Sequence, residues 1–337
     1  MTTADNPLAD RFGRVHTDLR VSLTDRCSLR CDYCMPAAGL TWLPRAELLT
    51  TDELLRLVSV AVGLGVQQVR LTGGEPLLRP DVVEVVRAIR SLPGAPDVSL
   101  TTNGLRLPGL AAKLADAGLE RVNVSLDTLD RATFTRLTRR DRMVDTLAGV
   151  AAAKAAGLLP VKINTVLMPG VNEHEAPALL RWALAEGLRL RFIEQMPLDA
   201  QHGWRRSQMV TAEQILANLE AAGFDLRPMG ARGTDPSEDW IVAGPDGEPI
   251  GTVGIVGSVT RPFCAACDRV RLTADGQWRN CLFAHDETDL RTLLRDGAAD
   301  AEIAAAMRAS VLRKKQAHGI DSGAFVQPDR PMSAIGG

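Results

Sequence analysis

A chain of 337 residues, 45% of them hydrophobic, can bury a full core, and it fits one large domain or a large domain with an appendage. A formal net charge of −2 gives no global reason to expect nucleic acid or an anionic membrane as partner, so any polyanionic ligand must be met by local charge. No stretch approaches the ~18 consecutive apolar residues of a membrane span, and "MTTADNPLADRFGR" lacks the apolar core of a signal peptide, so a cytoplasmic location is expected, where cysteines stay thiols for chemistry or metals.

In chain order, the first strand reads "LRVSLT" (19–24) and runs into "TDRCSLRCDYC", with cysteines at C-x3-C-x2-C spacing: Cys27, Cys31 and Cys34. Helical patterning follows over 51–63, then the strand "QVRLTG" (68–73) and the turn "TGGEP". A helix over 80–90, the strand "DVSLTT" (97–102) and a helix over 108–117 come next. "RVNVSLD" (121–127), a helix over 141–156, "VKINTVL" (161–167), a helix over 173–186, "LRLRFIEQM" (188–196) and a helix over 211–222 complete six β-α units. Such alternation implies a parallel sheet that the right-handed crossover rule curls into a full or partial barrel. Functional residues then belong at the C-terminal ends of the strands. The first triplet, "TGGEP", Thr101, Ser125, Asp127 and Glu194 to Met196 are all expected at one mouth.

Beyond the six units lies the turn-rich "GARGTDPSEDW" (230–240), a mobile loop or a junction. The second triplet follows at C-x2-C-x13-C spacing: Cys264, Cys267 and Cys281. Arg269 and Arg271 alternate just after it, which puts both guanidinium groups on one face of a strand. A packing helix is expected over 299–313, and a tail follows, ending in "MSAIGG". Its apolar Phe325, Val326, Met332 and Ile335 suffice to dock it. His16, His174, His202 and His318 have no ligand spacing, and the five tryptophans form no stacking stripe for single-stranded nucleic acid.

The six cysteines fall into two triplets with none left over. A reducing compartment disfavours disulfides. Structural zinc wants four closed ligands at each site, and a fourth would have to come from a histidine such as His285. Iron-sulfur cubes are normally held by four thiolates, so one held by three leaves an iron open. By spacing alone, zinc and iron-sulfur both remain open.

The motifs then carry a resemblance. C-x3-C-x2-C after strand 1, with Tyr33 before its last cysteine and Gly-Gly-Glu-Pro after strand 2, resembles the radical S-adenosylmethionine (SAM) superfamily. From "FGRVHTDLRVSLTDRCSLRCDYCMP" through "RLTGGEPLLRPD", "LTTNG", "NVSLDTLD", "FIEQMPL" and "FCAACDRVRLTADGQWRNCLF" to "MSAIGG", nearly the whole chain resembles its GTP 3′,8-cyclase family of molybdenum-cofactor biosynthesis. The fold so implied is α/β, a partial (β/α)6 TIM-type barrel closed by a C-terminal segment that carries a second iron-sulfur site. It divides into a radical SAM core at 11–228 and a cluster- and GTP-binding region at 229–337.

By this resemblance, Cys27, Cys31, Cys34, Cys264, Cys267 and Cys281 hold two [4Fe-4S] clusters, and Tyr33, Gly74, Ser125 and Met196 contact SAM. The open iron of the first cluster binds SAM, whose reductive cleavage gives a 5′-deoxyadenosyl radical. That radical takes hydrogen from ribose C3′ of a GTP whose guanine meets the second cluster, and the sugar radical closes on C8. The product is (8S)-3′,8-cyclo-7,8-dihydroguanosine 5′-triphosphate, so the chain is expected to be a lyase.

No G-x4-G-K-[ST] phosphate loop is present, so the triphosphate needs scattered basic groups. Arg20, Arg70, Thr101, Lys162, Arg191, Arg269, Val270 and Arg271 are the expected GTP contacts. Arg20, Arg269, Arg271, Gly336 and Gly337 are expected to act in catalysis. Gln68 stands where related sequences often have lysine, which predicts one phosphate contact fewer. An electron donor, a downstream enzyme taking the cyclic nucleotide and a homodimer are the partners the resemblance allows. The alternatives are another radical SAM enzyme with an auxiliary cluster and a zinc-stabilised binding protein.

Overall fold

The computed structural model describes residues 7–323 and 325–336. Six strands, β1 (Asp18–Ser22), β2 (Gln68–Thr72), β3 (Asp97–Thr102), β4 (Arg121–Ser125), β5 (Lys162–Val166) and β6 (Arg189–Ile193), run parallel in sequence order. Between them lie α1 (Thr51–Gly63), α2 (Val82–Arg90), α3 (Leu107–Asp116), α4 (Arg131–Thr138), α5 (Met143–Ala155) and α6 (Ala176–Ala185). Local chemistry starts α1 where the sequence says it should. Thr50 caps α1, its hydroxyl accepting from Glu53 N while the Glu53 carboxylate accepts from Thr50 N, so two orphan amides are satisfied reciprocally. The buried face of α1, Leu54, Leu57, Val58 and Ala61, packs on the sheet, and each large side chain contributes about 1.5–3 kcal/mol by leaving water.

The two-residue period of a strand then sorts every side chain. Leu19, Val21, Val69, Leu71, Val98, Leu100, Val122, Val124, Ile163, Leu190 and Phe192 enter the main core. Their alternates, Arg20, Arg70, Thr101, Asn123, Ser125, Asn164 and Arg191, line the concave interior. One periodicity builds both the core and the site.

After β6 come α7 (Ala212–Ala221), β7 (Asp225–Pro228), β8 (Glu238–Ala243), β9 (Pro249–Val256), β10 (Arg269–Leu272), β11 (Gln277–Arg279) and β12 (Thr288–Asp289), then α8 (Leu290–Arg295), α9 (Asp300–Leu312) and the short α10 (Met332–Ile335). The sheet order is β12-β11-β10-β1-β2-β3-β4-β5-β6-β9-β8-β7. β9 joins β6 and β10 joins β1, both in parallel, and the outer pairs are antiparallel ribbons. The expected closure is therefore not a ring of strand hydrogen bonds. The sheet stays open, and the C-terminal residues extend both of its edges. A second apolar cluster of Leu198, Met209, Val259, Phe283, Ile320 and Ile335 packs these late segments together.

Candidate functional site

The loop after β1 carries the first triplet. Its shape is set by backbone: Cys34 N and Met35 N both donate to Cys31 O, and Arg30 N and Asp32 N donate to the last carbonyls of α4 at Thr138 and Leu137. Arg30 donates to Cys27 O and Leu29 O and stacks over Trp42 at 5.3 Å. Burial pushes the Cys27 thiol up to about 11 and that of Cys34 to about 12, and raises Cys31 as well. Free thiols here are costly to ionise, and a metal that takes them as thiolates removes that cost. Tyr33 donates to Asp127 at 2.7 Å. Burial raises Asp127 to about 6, against the bonds it accepts from Val166 N and Tyr33.

"TGGEP" is clamped to this loop. Gly74 N donates to Thr24 O and Glu75 N to Arg26 O, each at 2.7 Å. A Cβ on Gly74 would stand 2.3 Å from Arg26 O, and one on Gly73, at φ +144°, would stand 2.5 Å from Thr24 O. The glycines are thus required by the approach of the cysteine loop itself. Glu75 is buried and ties the turn to the end of β3, its Oε1 accepting from Leu77 N and Thr102 Oγ1 and its Oε2 from Asn103 N.

Opposite, Cys264 and Cys267 flank a single tight turn, with Cys267 N donating to Cys264 O, and Cys281 follows β11. Burial raises Cys264. Burial alone would also raise Cys267, but Lys314 and Arg269 beside it bring that thiol below its ordinary value. All six cysteines line one cavity of about 310 Å³, together with Tyr33, Gly74, Thr101, Ser125, Met196, Arg20, Arg70, Arg191, Arg269 and Arg271. Among the described residues no three His, Cys, Asp or Glu donors lie as close together as one bound ion would draw them. The donor set is three sulfurs on each side. His285 bonds Val326 O and is no fourth donor to the second triplet, while both ring nitrogens of the cavity-lining His318 are engaged, by Ser258 O and Ile320 N.

The same cavity is lined by a bed of cations. In register, Arg20 stands between Arg70 and Arg271, and Asp18 stands opposite Arg269. The arginines therefore sit within the strands, below the C-terminal ends where the first triplet and "TGGEP" lie, with Arg191, Arg269 and Arg271 buried. Burial and then Arg70 hold Arg20 well below its usual basicity; burial and then Arg269 bring Arg271 to about 10. Lys162 is lowered to about 8 by burial and then Arg191, although it does not line the cavity. Three carboxylates offset this charge only in part. Asp235 takes Arg191 at 3.0 Å, Asp268 stands 3.6 Å from Arg269, and Asp18 lies near Arg20 and Arg70. Arg20 Nε is buried with no hydrogen-bond partner. Such a bed is built for a polyanion.

Several expectations need correction. Val270 turns its side chain into the core, because the alternation that aims Arg269 and Arg271 inward aims it outward. Glu194 does not line the cavity; it is buried, accepting from Ala212 N, Val259 N, Thr260 N and the Thr260 hydroxyl, and so fastens the late loops to β6. Gln68 is exposed at the start of β2, and Val326 is exposed rather than docked. Gly337 lies outside the described residues. Gly336 is buried, and its carbonyl accepts from Arg271 Nη1. Lys314, Asp235, Asn103 and Ser333 enter the site without having been singled out. Asn103 bonds Ser28 and approaches the Cys27 sulfur at 4.0 Å, and Ser333 lies against the Cys34 thiol.

Known proteins match this arrangement along the chain. A family model described as the radical SAM superfamily matches residues 21–183, and one described as Molybdenum Cofactor Synthesis C matches residues 188–320. A GTP 3′,8-cyclase of Streptomyces coelicolor is 59% identical over 333 residues, covering 98% of this chain and 96% of its own. One of Mycobacterium marinum is 57% identical over 336 residues, covering 99% and 93%. Among solved structures, Streptococcus suis SuiB bound to S-adenosylmethionine superposes with a TM-score of 0.55 at 13% identity, covering 86% of this chain and 66% of that one, a likeness of fold alone. On the strength of the full-length relatives, the chain belongs to the GTP 3′,8-cyclase family of the radical SAM superfamily.

Proposed function

We propose that the chain is a GTP 3′,8-cyclase, a lyase that converts GTP to (8S)-3′,8-cyclo-7,8-dihydroguanosine 5′-triphosphate early in molybdenum-cofactor biosynthesis. The observation that carries the reading is the pairing of two three-thiol walls with an under-compensated cation bed in one cavity. Each triplet fits a [4Fe-4S] cluster held by three protein sulfurs, with one iron left for a ligand that is not protein. When bound, the first cluster supplies one electron to SAM and so a hydrogen-abstracting carbon radical, and the second offers an open iron to the guanine.

The protein's own part is placement and exclusion of water. Residues 11–228 form the SAM-handling half in this reading, with Tyr33, Gly74, Ser125 and Met196 along the cofactor. Residues 229–337 bring the second triplet, Arg269, Arg271 and the tail. Arg20, Arg70, Lys162 and Arg191 meet the triphosphate with them, Thr101 lines the nucleotide's path, and only the backbone of Val270 is left to contribute. Arginine forks in a water-poor cavity are strong phosphate ligands. An electron donor, a downstream enzyme and a homodimer belong to the same reading, as does a cytoplasmic setting; among the described residues, no helix is long and apolar enough to cross a membrane.

Anaerobic reconstitution with iron and sulfide, followed by dithionite, SAM and GTP, tests it. About eight irons per chain, 5′-deoxyadenosine and a cyclic nucleotide of unchanged triphosphate are expected. Zinc without labile sulfide, or SAM cleavage with GTP recovered intact, would overturn it. The cation bed gives a second expected result: Arg269→Ala or Arg271→Ala removes a charge-assisted bond of about 1.5–3 kcal/mol and so weakens GTP binding by about 10- to 100-fold. Iron content should be unchanged. Calorimetry on the two variants checks this, and full affinity in both would take these arginines out of the nucleotide site.

A further inference from the structure

The second triplet is backed by a buried charged chain that the cyclase reading does not use. Lys314 is 2% exposed, just past α9. An ammonium has three donors and no acceptor. Here the three have three partners: Arg269 O at 2.8 Å, His16 Nδ1 at 3.4 Å and Cys267 Sγ at 3.5 Å. Because Lys314 can only donate, His16 accepts at Nδ1 and carries its proton on Nε2, which faces Asp10 Oδ2 at 3.4 Å. Asp10 is held in turn by Arg14 Nε at 2.6 Å and by the amides of Phe12 and Arg14. Arg14 then staples both sides of the site, donating to Cys264 O on one side and to the carbonyls of Lys315 and Gln316 on the other. A run of hydrogen bonds thus joins a carboxylate near the N-terminus to one cluster sulfur. The first triplet has no such partner at Cys27, which meets the neutral amide of Asn103.

We infer that Lys314 is a positioning residue for the second cluster, setting its ammonium against the Cys267 sulfur and so raising the cluster's reduction potential, with Asp10, His16 and Arg14 fixing its aim. This rests on the two-cluster reading above. The physical reason is a sign. Reduction adds one negative charge to a cluster that three thiolates already make electron-rich, so a buried cation and an N–H donor at one sulfur favour the reduced state.

The test uses the full chain with Cys27→Ala, Cys31→Ala and Cys34→Ala, so that only the second site is loaded, and reads a one-electron potentiometric titration by electron paramagnetic resonance. Lys314→Met is expected to move the midpoint to a more negative potential at unchanged iron content. Lys314→Gln, which keeps a donor without the charge, should move it less, and it supplies the measurement if the methionine variant assembles poorly. A midpoint that neither variant moves overturns the role of Lys314. A second site that takes up no iron with Lys314 intact overturns this inference together with the two-cluster reading, and so marks that failure apart.

Discussion

Cys27→Ala, Cys31→Ala or Cys34→Ala is expected to abolish SAM cleavage, with 5′-deoxyadenosine falling to background, whereas Cys264→Ala, Cys267→Ala or Cys281→Ala should keep some cleavage and lose the cyclic nucleotide. The division follows from where each triplet sits. The first is gripped by the Gly73–Gly74 turn and by the end of α4, and it shares its part of the cavity with Tyr33 and Asp127. The second is gripped by Arg14 and Lys314 and lies beside Arg269 and Arg271. The contacts that grip each cysteine loop are its own, so losing a thiol on one side leaves the opposite loop its scaffold. Iron analysis with both products quantified in each of the six variants checks the claim. Equal loss of both activities from either triplet would show that the two sites assemble as one unit.

Much of this was legible because a single periodicity carries it. The faces of β1 to β6 alternate, so the Val, Ile and Leu residues of these strands mark the core face, and Arg20, Arg70 and Arg191, as their alternates, line the interior. The same alternation sends the Val270 side chain to the core, since its neighbours Arg269 and Arg271 lie on the other face, and leaves only its backbone toward the cavity side. α4 was missed because "RATFTRLT" mixes β-branched threonines with charge, which lowers helix propensity; what holds it is the Asp130 cap onto Thr133 N and burial of Phe134 and Leu137.

Other features were illegible because they depend on partners far along the chain. Lys314 is one of two adjacent lysines after a helix, a pattern that reads as solvated surface, and it is buried by partners remote in sequence, His16 on one side and Cys267 and Arg269 on the other. Asp235 sits in a turn-rich loop whose composition says nothing of Arg191, 44 positions upstream. Glu194 is expected at the mouth because it ends a strand, yet its four bonds to backbone and hydroxyl groups leave it no lone pair for a ligand. Satisfaction of hydrogen bonds separates a structural carboxylate from a reactive one, and a sequence does not display it.

Deleting Gly336 and Gly337 should leave both clusters and the fold intact and remove the cyclic product from GTP, a fall of about 100-fold or more, as expected when reacting groups are misplaced by about 1 Å. The tail is anchored upstream of the deletion. Arg330 forks onto Asp275 with both bonds at 3.0 Å and also meets Glu287, Met332 N donates to Leu198 O, and Ile335 is fully buried in the second apolar cluster. These contacts survive the truncation, so melting temperature and iron content should hold. What is lost is the last link. Gly336 accepts from Arg271, the arginine that neighbours Arg20 in the cation bed, while Ser333 one turn earlier lies against Cys34. The tail thereby spans from the first triplet to the cation bed, and its end helps fix where Arg271 points. Side chains are excluded there on two counts: Gly336 has φ +90°, and a Cβ on it would stand 2.8 Å from Thr72 Cγ2 and 3.3 Å from Ser22 Cβ. Gly336→Val should therefore reproduce the deletion, with SAM cleavage persisting and uncoupled from GTP. Product analysis beside iron content decides it, since a truncated protein that still cyclises GTP at the parent rate would reduce the diglycine to an ordinary chain end.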